Sequence, residues 1–259
     1  SNATFTLNRN KVKRLASGSV NPVTGEAIQM DEMNVGCLGK ENVAPRVILT
    51  EGGSMTDIYV YNQLTKDNNG NIKVDQNGNL GITSSNTPVK VGNLDADFNL
   101  GWTNHFTYKG IDLGVVLSAR VGGLAYSATQ GILDYYGVSE TSATARDNGG
   151  IPINNGKVNA QKYYQTIGTG EGGYGRYYLY SATNVRLQEL SLNYTLPKRW
   201  FKNVANVTLG IVGRNLWMLY CKAPFDPEST ASTGTYNQGM DYFMQPSLRS
   251  TGFSGKISC

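Results

Sequence analysis

The chain has 259 residues, which suits one large β domain or two smaller units. Hydrophobic residues make up 39% and charged residues 16%, against about 45–50% and about 25% in typical soluble domains. Gly, Asn, Ser, Thr and Tyr fill the difference, as in all-β chains with many turns and in transmembrane barrels, whose strands are only half apolar. No stretch approaches the roughly 20 apolar residues of a membrane helix, which excludes a helical membrane protein.

The formal net charge of +4 is modest and spread along the chain, so a nucleic-acid partner is not expected. One basic cluster runs from Arg9 to Arg14, and a solvated loop explains it better than a nucleic-acid or lipid-headgroup patch. Residues 1–3 (SNA) are interpreted as a purification-tag remnant, and residues 4–19 lack a signal peptide. The chain is therefore expected to begin inside a longer protein.

The first strand candidates are residues 46–50 and 58–64, separated by a glycine pair. Two Asn-Gly dipeptides, Asn69-Gly70 and Asn77-Gly78, then predict tight turns with a short strand between them. The Asp and Asn spacing also resembles a calcium loop, but Ile72 stands where such a loop needs glycine. A hairpin is therefore favoured over a bound cation, and no metal site is predicted.

Residues 97–123 give the clearest pattern of the chain. Aromatic and aliphatic residues alternate with small and polar ones on either side of Lys109-Gly110, which predicts a hairpin of two strands of about 11 residues. That is the length a tilted strand needs to cross a bilayer. The aromatic residues Trp102, Phe106 and Tyr108 are weighted to the turn end, as in an interfacial girdle.

From residue 124 to residue 181 the alternation is lost, and a long excursion with short helices is predicted. Apolar spacing favours one helix near Ala128–Tyr136, a second before Arg146 and a third near Val158–Gly168. The excursion holds three tyrosine pairs that could stack on sugars or peptides, or could pack within the loop: Tyr135 and Tyr136, Tyr163 and Tyr164, Tyr177 and Tyr178. These six tyrosines are the candidate substrate-facing or lid-facing residues.

Residues 181–220 predict a second long hairpin. Leu190, Leu192 and Tyr194 share one face of its first strand, but Val185 and Leu187 have the opposite parity. A bulge near Glu189, or a strand that leaves the membrane there, would explain the change. A similar change occurs near Arg214-Asn215, and an alternating final strand follows at the end of the chain.

Catalytic constellations are not found in the sequence. His105 is the single histidine, so any triad would have to use it, and it lies in the middle of a predicted strand. Metalloprotease, nucleophile-elbow and Walker motifs are absent. The three cysteines form neither a disulfide framework nor a metal pattern. The sequence therefore predicts no enzyme activity, no catalytic residue and no cofactor.

Several motifs, taken together and in order from about Ile48, resemble one family. They are GNLDADFNLGWTNHFTYKGIDL, LDYYGVSETSATARDNGG, KVNAQKYYQTIG, YLYSATNVRLQELSLNYTLPKRW, GRNLWMLYCKAPFDPE and PSLRSTGFSGKIS. This series is similar to the C-terminal part of SusC/RagA-type TonB-linked (TonB-dependent) outer-membrane transporters of Bacteroidetes.

The resemblance implies an all-β fold: about eight long antiparallel strands from the C-terminal part of a transmembrane β-barrel, spanning residues 4–259. It implies import of glycans or peptides, a SusD-like lipoprotein lid, contact with outer-membrane lipid, and energy from TonB through an N-terminal part that the chain lacks. Residues 126–180 would form an extracellular region near substrate and lid. Cys259 departs from the aromatic residue that commonly ends such barrels.

A different class of protein also accounts for long alternating strands, namely a soluble β-sandwich that serves as a glycan-binding module. The two hypotheses differ in what covers Trp102, Leu113 and Leu192. In a barrel this face meets lipid, whereas a sandwich needs a second layer over it.

Overall fold

A computed structural model describes residues 1–16, 18–28, 30–38, 44–168, 175–202, 204–229 and 238–258. Its strands, in chain order, are β1 (Asn2–Thr6), β2 (Glu32–Cys37), β3 (Arg46–Thr50), β4 (Asp57–Leu64), β5 (Ile82–Asn93), β6 (Phe98–Tyr108), β7 (Ile111–Val121), β8 (Leu124–Ser127), β9 (Ile151–Ile153), β10 (Gly156–Val158), β11 (Leu179–Ser181), β12 (Asn184–Thr195), β13 (Asn206–Cys221), β14 (Met240–Asp241) and β15 (Ser250–Ser258). The α-helices are α1 (Ala128–Tyr135), α2 (Glu140–Asp147) and α3 (Ala160–Ile167), and short 3₁₀ turns cover Gly175–Tyr178 and Lys198–Phe201.

The main sheet has six strands in the order β1-β6-β7-β12-β13-β15, all paired antiparallel. Both predicted hairpins are confirmed, and β6 and β7 have the expected 11 residues each. The described residues contain six strands of nine or more residues, somewhat fewer than the eight or so expected. Residues 2 and 3, interpreted from the sequence as tag remnant, pair with β6 as part of β1.

Short connections lie at one end of this sheet. Lys109 and Gly110 join β6 to β7 with positive φ at both positions, 45° and 87°. That is the backbone of a two-residue turn whose twist matches the flanking strands. Pro197 ends the pairing of β12, and the 3₁₀ turn Lys198–Phe201 leads towards β13.

The opposite end of the sheet carries three long connections, over residues 7–97, 122–183 and 222–249. The second is the predicted excursion, and α1, α2 and α3 confirm its helices. The first was not predicted as an excursion: its strands β2 to β5 form a separate four-stranded sheet. A buried apolar cluster that includes Val47, Ile58, Tyr126 and Tyr163 joins the two.

The predicted Asn-Gly turns are present, with Gly70 and Gly78 at φ 85° and 77°. Asp67 accepts hydrogen bonds from the backbone N–H of Asn71 at 2.9 Å and of Asn69 at 2.8 Å, and the same pattern recurs at Asp75. The backbone bond from Asn71 leads the effects that lower the pKa of Asp67. Each carboxylate therefore caps its own turn, and the predicted strand between the turns is reduced to isolated bridges.

Strand pairing places most of the apolar residues of the main sheet on a single face. They are Phe5, Leu100, Trp102, Phe106, Tyr108, Ile111, Leu113, Val115, Leu117, Leu190, Leu192, Tyr194, Leu209, Ile211, Trp217, Phe253 and Ile257. Trp102 is 38% exposed, Leu192 47% and Phe253 87%. In the described part of the chain, no second layer covers this apolar face.

The parity change near Glu189 is a β-bulge, as one of the two sequence interpretations held. The register of β12 shifts between Leu187 and Glu189 against both neighbouring strands. The second parity change, predicted near Arg214-Asn215, is not seen there, although Asn215 has φ 52°. Ile211 and Trp217 both lie on the apolar face, and the register of β13 shifts instead between Met218 and Tyr220. Because Leu187 pairs with Leu117 and with Trp217, the apolar face continues through the bulge. Within the described ranges, no helix is long and apolar enough to cross a membrane.

Candidate functional site: the polar face at the loop-bearing end

The second face of the main sheet is small and polar, and its loop-bearing end is the candidate site. Thr6, Asn99, Arg120 and Asn184 are matched in one row across four strands. Thr4, Gly101, Ser118 and Arg186 form the next row. Strand alternation therefore brings two arginines to the polar face just where the long connections leave the sheet.

Arg186 is the centre of a buried polar network. Its side chain is 3% exposed and forms an ion pair with Asp226, which is 6% exposed. The guanidinium also donates to Asn184 Oδ1 at 3.0 Å and to Ser247 Oγ at 3.0 Å. Glu228 Oε2 lies 3.4 Å from its Nε. One arginine of β12 thus holds two separate parts of the third connection against the sheet.

Asp226 is held in its charged form. Burial alone would raise the pKa of this carboxyl, but hydrogen bonds from Arg186, Ser247 and the Glu228 backbone outweigh it and lower the pKa to about 2. The Ser247 backbone N–H donates to Oδ2 at 3.2 Å. The network is therefore a charge-assisted clamp at ordinary pH.

A cavity of about 860 Å³ adjoins this clamp. Its lining combines charge from Arg186, Asp226 and Arg249 with the apolar side chains of Met218, Phe225, Pro224, Met244, Pro246 and Leu248. A second cavity of about 410 Å³ lies beside Arg120, Asn99 and Glu228. Concave spaces that mix apolar walls with a few fixed polar groups are typical of small-molecule sites.

The six candidate tyrosines differ in how deeply the structure buries them. Tyr163, Tyr164 and Tyr178 are buried in the core of the excursion. Burial raises the pKa of Tyr163 and of Tyr178 far above the ordinary value of 10.0. Tyr136 is 72% exposed and Tyr177 41% exposed.

The tyrosine pairs make edge-to-face contacts among themselves. The ring centroids of Tyr163 and Tyr177 lie 6.1 Å apart, and those of Tyr135 and Tyr136 lie 5.1 Å apart. Tyr135, Tyr136 and Tyr164 line a separate cavity of about 320 Å³. Packing accounts for the buried tyrosines, and the exposed ones remain candidates for contact with a ligand.

Sequence reasoning missed the clamp at Arg186. The residue is separated from Asp226 and Ser247 by 40 and 61 positions, so no local pattern connects them. The usable signal was Arg186 itself, a charged residue between two apolar residues of opposite parity to the rest of the strand.

His105 is exposed on the polar face, with its Nδ1 4.0 Å from Asp112. The described residues hold no group of three or more His, Cys, Asp or Glu side chains that could bind a metal ion.

The chain is similar to proteins of known class. TonB-dependent receptor P3 of Formosa agariphila is 27% identical over 191 residues, which cover 71% of this chain and 18% of that protein. A RagAB peptide transporter structure matches with a TM-score of 0.55 and 18% identity, covering 98% of this chain and 26% of that one. A RagAB peptide importer in its open-open state matches with a TM-score of 0.51.

No family model matches the chain. At 18% identity the structural likeness establishes the fold, an antiparallel sheet of the kind found in the RagAB chain. The chain spans between 18% and 26% of the length of these relatives.

Proposed function

We propose that this SusC/RagA-like chain forms part of the barrel wall of a TonB-dependent outer-membrane importer. The observation that carries the proposal is the two-faced main sheet. One face is apolar, continuous over six strands and uncovered in the described part of the chain. The other face is polar and bears the cavities. A transmembrane barrel needs this division, because one face meets lipid and the other meets the lumen.

The orientation follows from the lengths of the connections. Outer-membrane barrels have short periplasmic turns and longer extracellular loops. The turns at Lys109-Gly110 and Lys198–Phe201 would then face the periplasm. The clamp and both of its cavities would lie at the outer mouth, where an incoming substrate meets the barrel.

The substrate class is an oligopeptide or an oligosaccharide, too large to pass through a porin. A mixed apolar and charged cavity suits a peptide, and the RagAB neighbours are described as peptide transporters. The surface tyrosines Tyr136 and Tyr177 suit either substrate, since aromatic rings pack on sugar faces and on side chains alike. A SusD-like lipoprotein would cover the outer mouth, and TonB would act through an N-terminal part of the protein.

Depth-dependent quenching tests the membrane assignment. Single-tryptophan variants that retain Trp102 or Trp217 are reconstituted into vesicles of brominated phosphatidylcholine, with tryptophan fluorescence as the readout. Both residues lie on the apolar face, so strong quenching is expected. Emission that the brominated lipid leaves unchanged would overturn the barrel proposal and favour a soluble sandwich.

Uptake tests the transport assignment. Cells that produce the full polypeptide are given a fluorescent oligopeptide mixture or a fluorescent oligosaccharide mixture, with and without a protonophore. We expect uptake of one class, lost with the protonophore and reduced by Tyr136→Ala. Uptake that survives the protonophore would contradict TonB-dependent import.

A further inference from the structure

The short-turn end of the main sheet carries a cluster of positive charge. Its cationic residues are Lys109, Lys198, Arg199 and Lys202, which we name the basic rim. Lys109 lies in the β6–β7 turn, and the next three lie in the β12–β13 connection. Lys256, near the end of β15, pairs with Thr208 on the polar face and is not part of the rim.

Strand pairing brings these positions to one end of the sheet. The Thr195 backbone N–H donates to Gly110 O at 2.7 Å, which links the two turns. Thr195 in turn pairs with Thr208 at the start of β13. The basic rim thus spans the two connections that join β6 to β7 and β12 to β13.

Few carboxylates lie near the basic rim at the short-turn end of the sheet. Asp112 is the carboxylate in the adjoining strand ends, and it already accepts a hydrogen bond from Thr107 at 2.9 Å. Among the described residues, no carboxylate lies within salt-bridge distance of the rim cations. The positive charge is therefore available to an external partner.

Aromatic side chains adjoin the basic rim: Tyr108 precedes Lys109, and Trp200 lies inside the Lys198–Phe201 turn. Trp200 is 63% exposed and Tyr108 67% exposed. The Nζ atom of Lys109 lies 5.2 Å from the centre of the Tyr108 ring. Tyr194 and Leu209, on the apolar face, pair directly behind the turns. Along β12 into its turn, Leu192, Tyr194 and Lys198 follow the order apolar, aromatic and cationic.

We propose that the basic rim binds anionic phospholipid headgroups at the membrane surface. The inference rests on the proposed membrane insertion of the apolar face. That order of side chains matches the profile of a bilayer boundary, where aromatic rings lie at headgroup depth and long cations reach outward. Continuity with the apolar face favours lipid over a soluble acidic protein, which would need no apolar border.

Spin-label resonance measures this preference directly. The full polypeptide is reconstituted in phosphatidylcholine vesicles with a trace of spin-labelled phosphatidylglycerol or spin-labelled phosphatidylcholine. The fraction of motionally restricted lipid gives a relative association constant. We expect phosphatidylglycerol to be preferred, and the preference to weaken in high salt because the charges are exposed.

The test variant combines Lys198→Ser, Arg199→Ser and Lys202→Ser. Since one cation near an anionic surface contributes about five-fold in affinity, the triple change should lower the relative association constant by at least about five-fold. The matched control, with the same loss of charge at the other end of the sheet, combines Lys13→Ser, Lys66→Ser and Lys73→Ser. The control should leave the preference unchanged.

Equal association of the two lipids with the unmodified protein would overturn the inference, as would an equal loss in the control. A preference for an acidic protein segment over the lipid would overturn it as well. If Trp102 is still quenched by brominated lipid in these cases, the barrel proposal stands and only the lipid preference fails. If Trp102 is not quenched, both fail.

Discussion

At the scale of single residues, Arg186 decides how the third connection is held. This arginine of the polar face contacts Asp226, Ser247 and Asn184, so both ends of that connection are fixed through one side chain. A buried charge pair of this kind is costly to break, because the partner left behind remains desolvated.

Replacing Arg186 by methionine should therefore destabilise the protein strongly. The buried Asp226 carboxylate would lose its cation, which costs about 3–5 kcal/mol of unfolding free energy. Arg214→Met is the matched control: its pair with Glu189 at 2.9 Å is 67% and 33% exposed, so its loss should cost at most about 1 kcal/mol. Denaturant unfolding in lipid vesicles compares the two, and equal losses would contradict the clamp.

The same clamp predicts a dependence on acid. The pKa of Asp226 is lowered from 3.8 to about 2 by its partners. A carboxyl whose pKa is lower in the folded than in the unfolded protein stabilises the fold. This stabilisation is complete above the ordinary pKa of 3.8 and is lost as the pH falls towards 2. The contribution is about 2 kcal/mol.

This contribution is isolated by comparing the wild type with Asp226→Asn. The unfolding free energy of each protein is measured at pH 6 and at pH 2.5. The asparagine variant cannot titrate at that position, so the wild type should lose more of its advantage over the variant at the lower pH. A difference between the two proteins that is independent of pH would refute the assignment.

At the scale of elements, the two long hairpins were predictable because their information is local. Alternation fixes the faces of β6 and β7, and Lys109-Gly110 fixes the turn. The first excursion was not predictable in the same way. Its strands β3 and β4 are partly buried on both faces, so their apolar runs do not reveal which sheet they join.

The bulge in β12 is the element-scale feature with the sharpest consequence. It restores Val185 and Leu187 to the apolar face and keeps Arg186 on the polar face, opposite Ser118. Without the extra residue, every side chain on the Asn184 side of the bulge would change face.

Deletion of Gln188 should therefore move Arg186 towards lipid and disconnect it from Asp226. We expect little correctly assembled protein in the outer-membrane fraction, since an arginine on the lipid face costs up to about 2–4 kcal/mol. Gln188→Ala keeps the residue count and should assemble normally. Normal assembly of the deletion variant would show that the bulge does not set the register.

At the scale of the whole molecule, two requirements act on neighbouring residues of the same strands. Leu192 pairs with Leu113 and Ile211 on the apolar face, whereas Asn193 pairs with Asp112 and Gly210 on the polar face. The alternation could be predicted from the sequence. What surrounds each face could not, because strand period alone does not distinguish lipid from a second protein layer.

A pair of adjacent arginine substitutions separates the two faces. Leu192→Arg places a charge among Leu113 and Ile211, and in lipid vesicles it should lower the unfolding free energy by about 2 kcal/mol or more. Asn193→Arg places the same charge beside Asp112 on the polar face and should change the unfolding free energy by less than about 1 kcal/mol. Because the two positions share strand, depth and substituent, the difference between them reports the surroundings of each face. Equal effects would mean that the apolar face is not in contact with lipid.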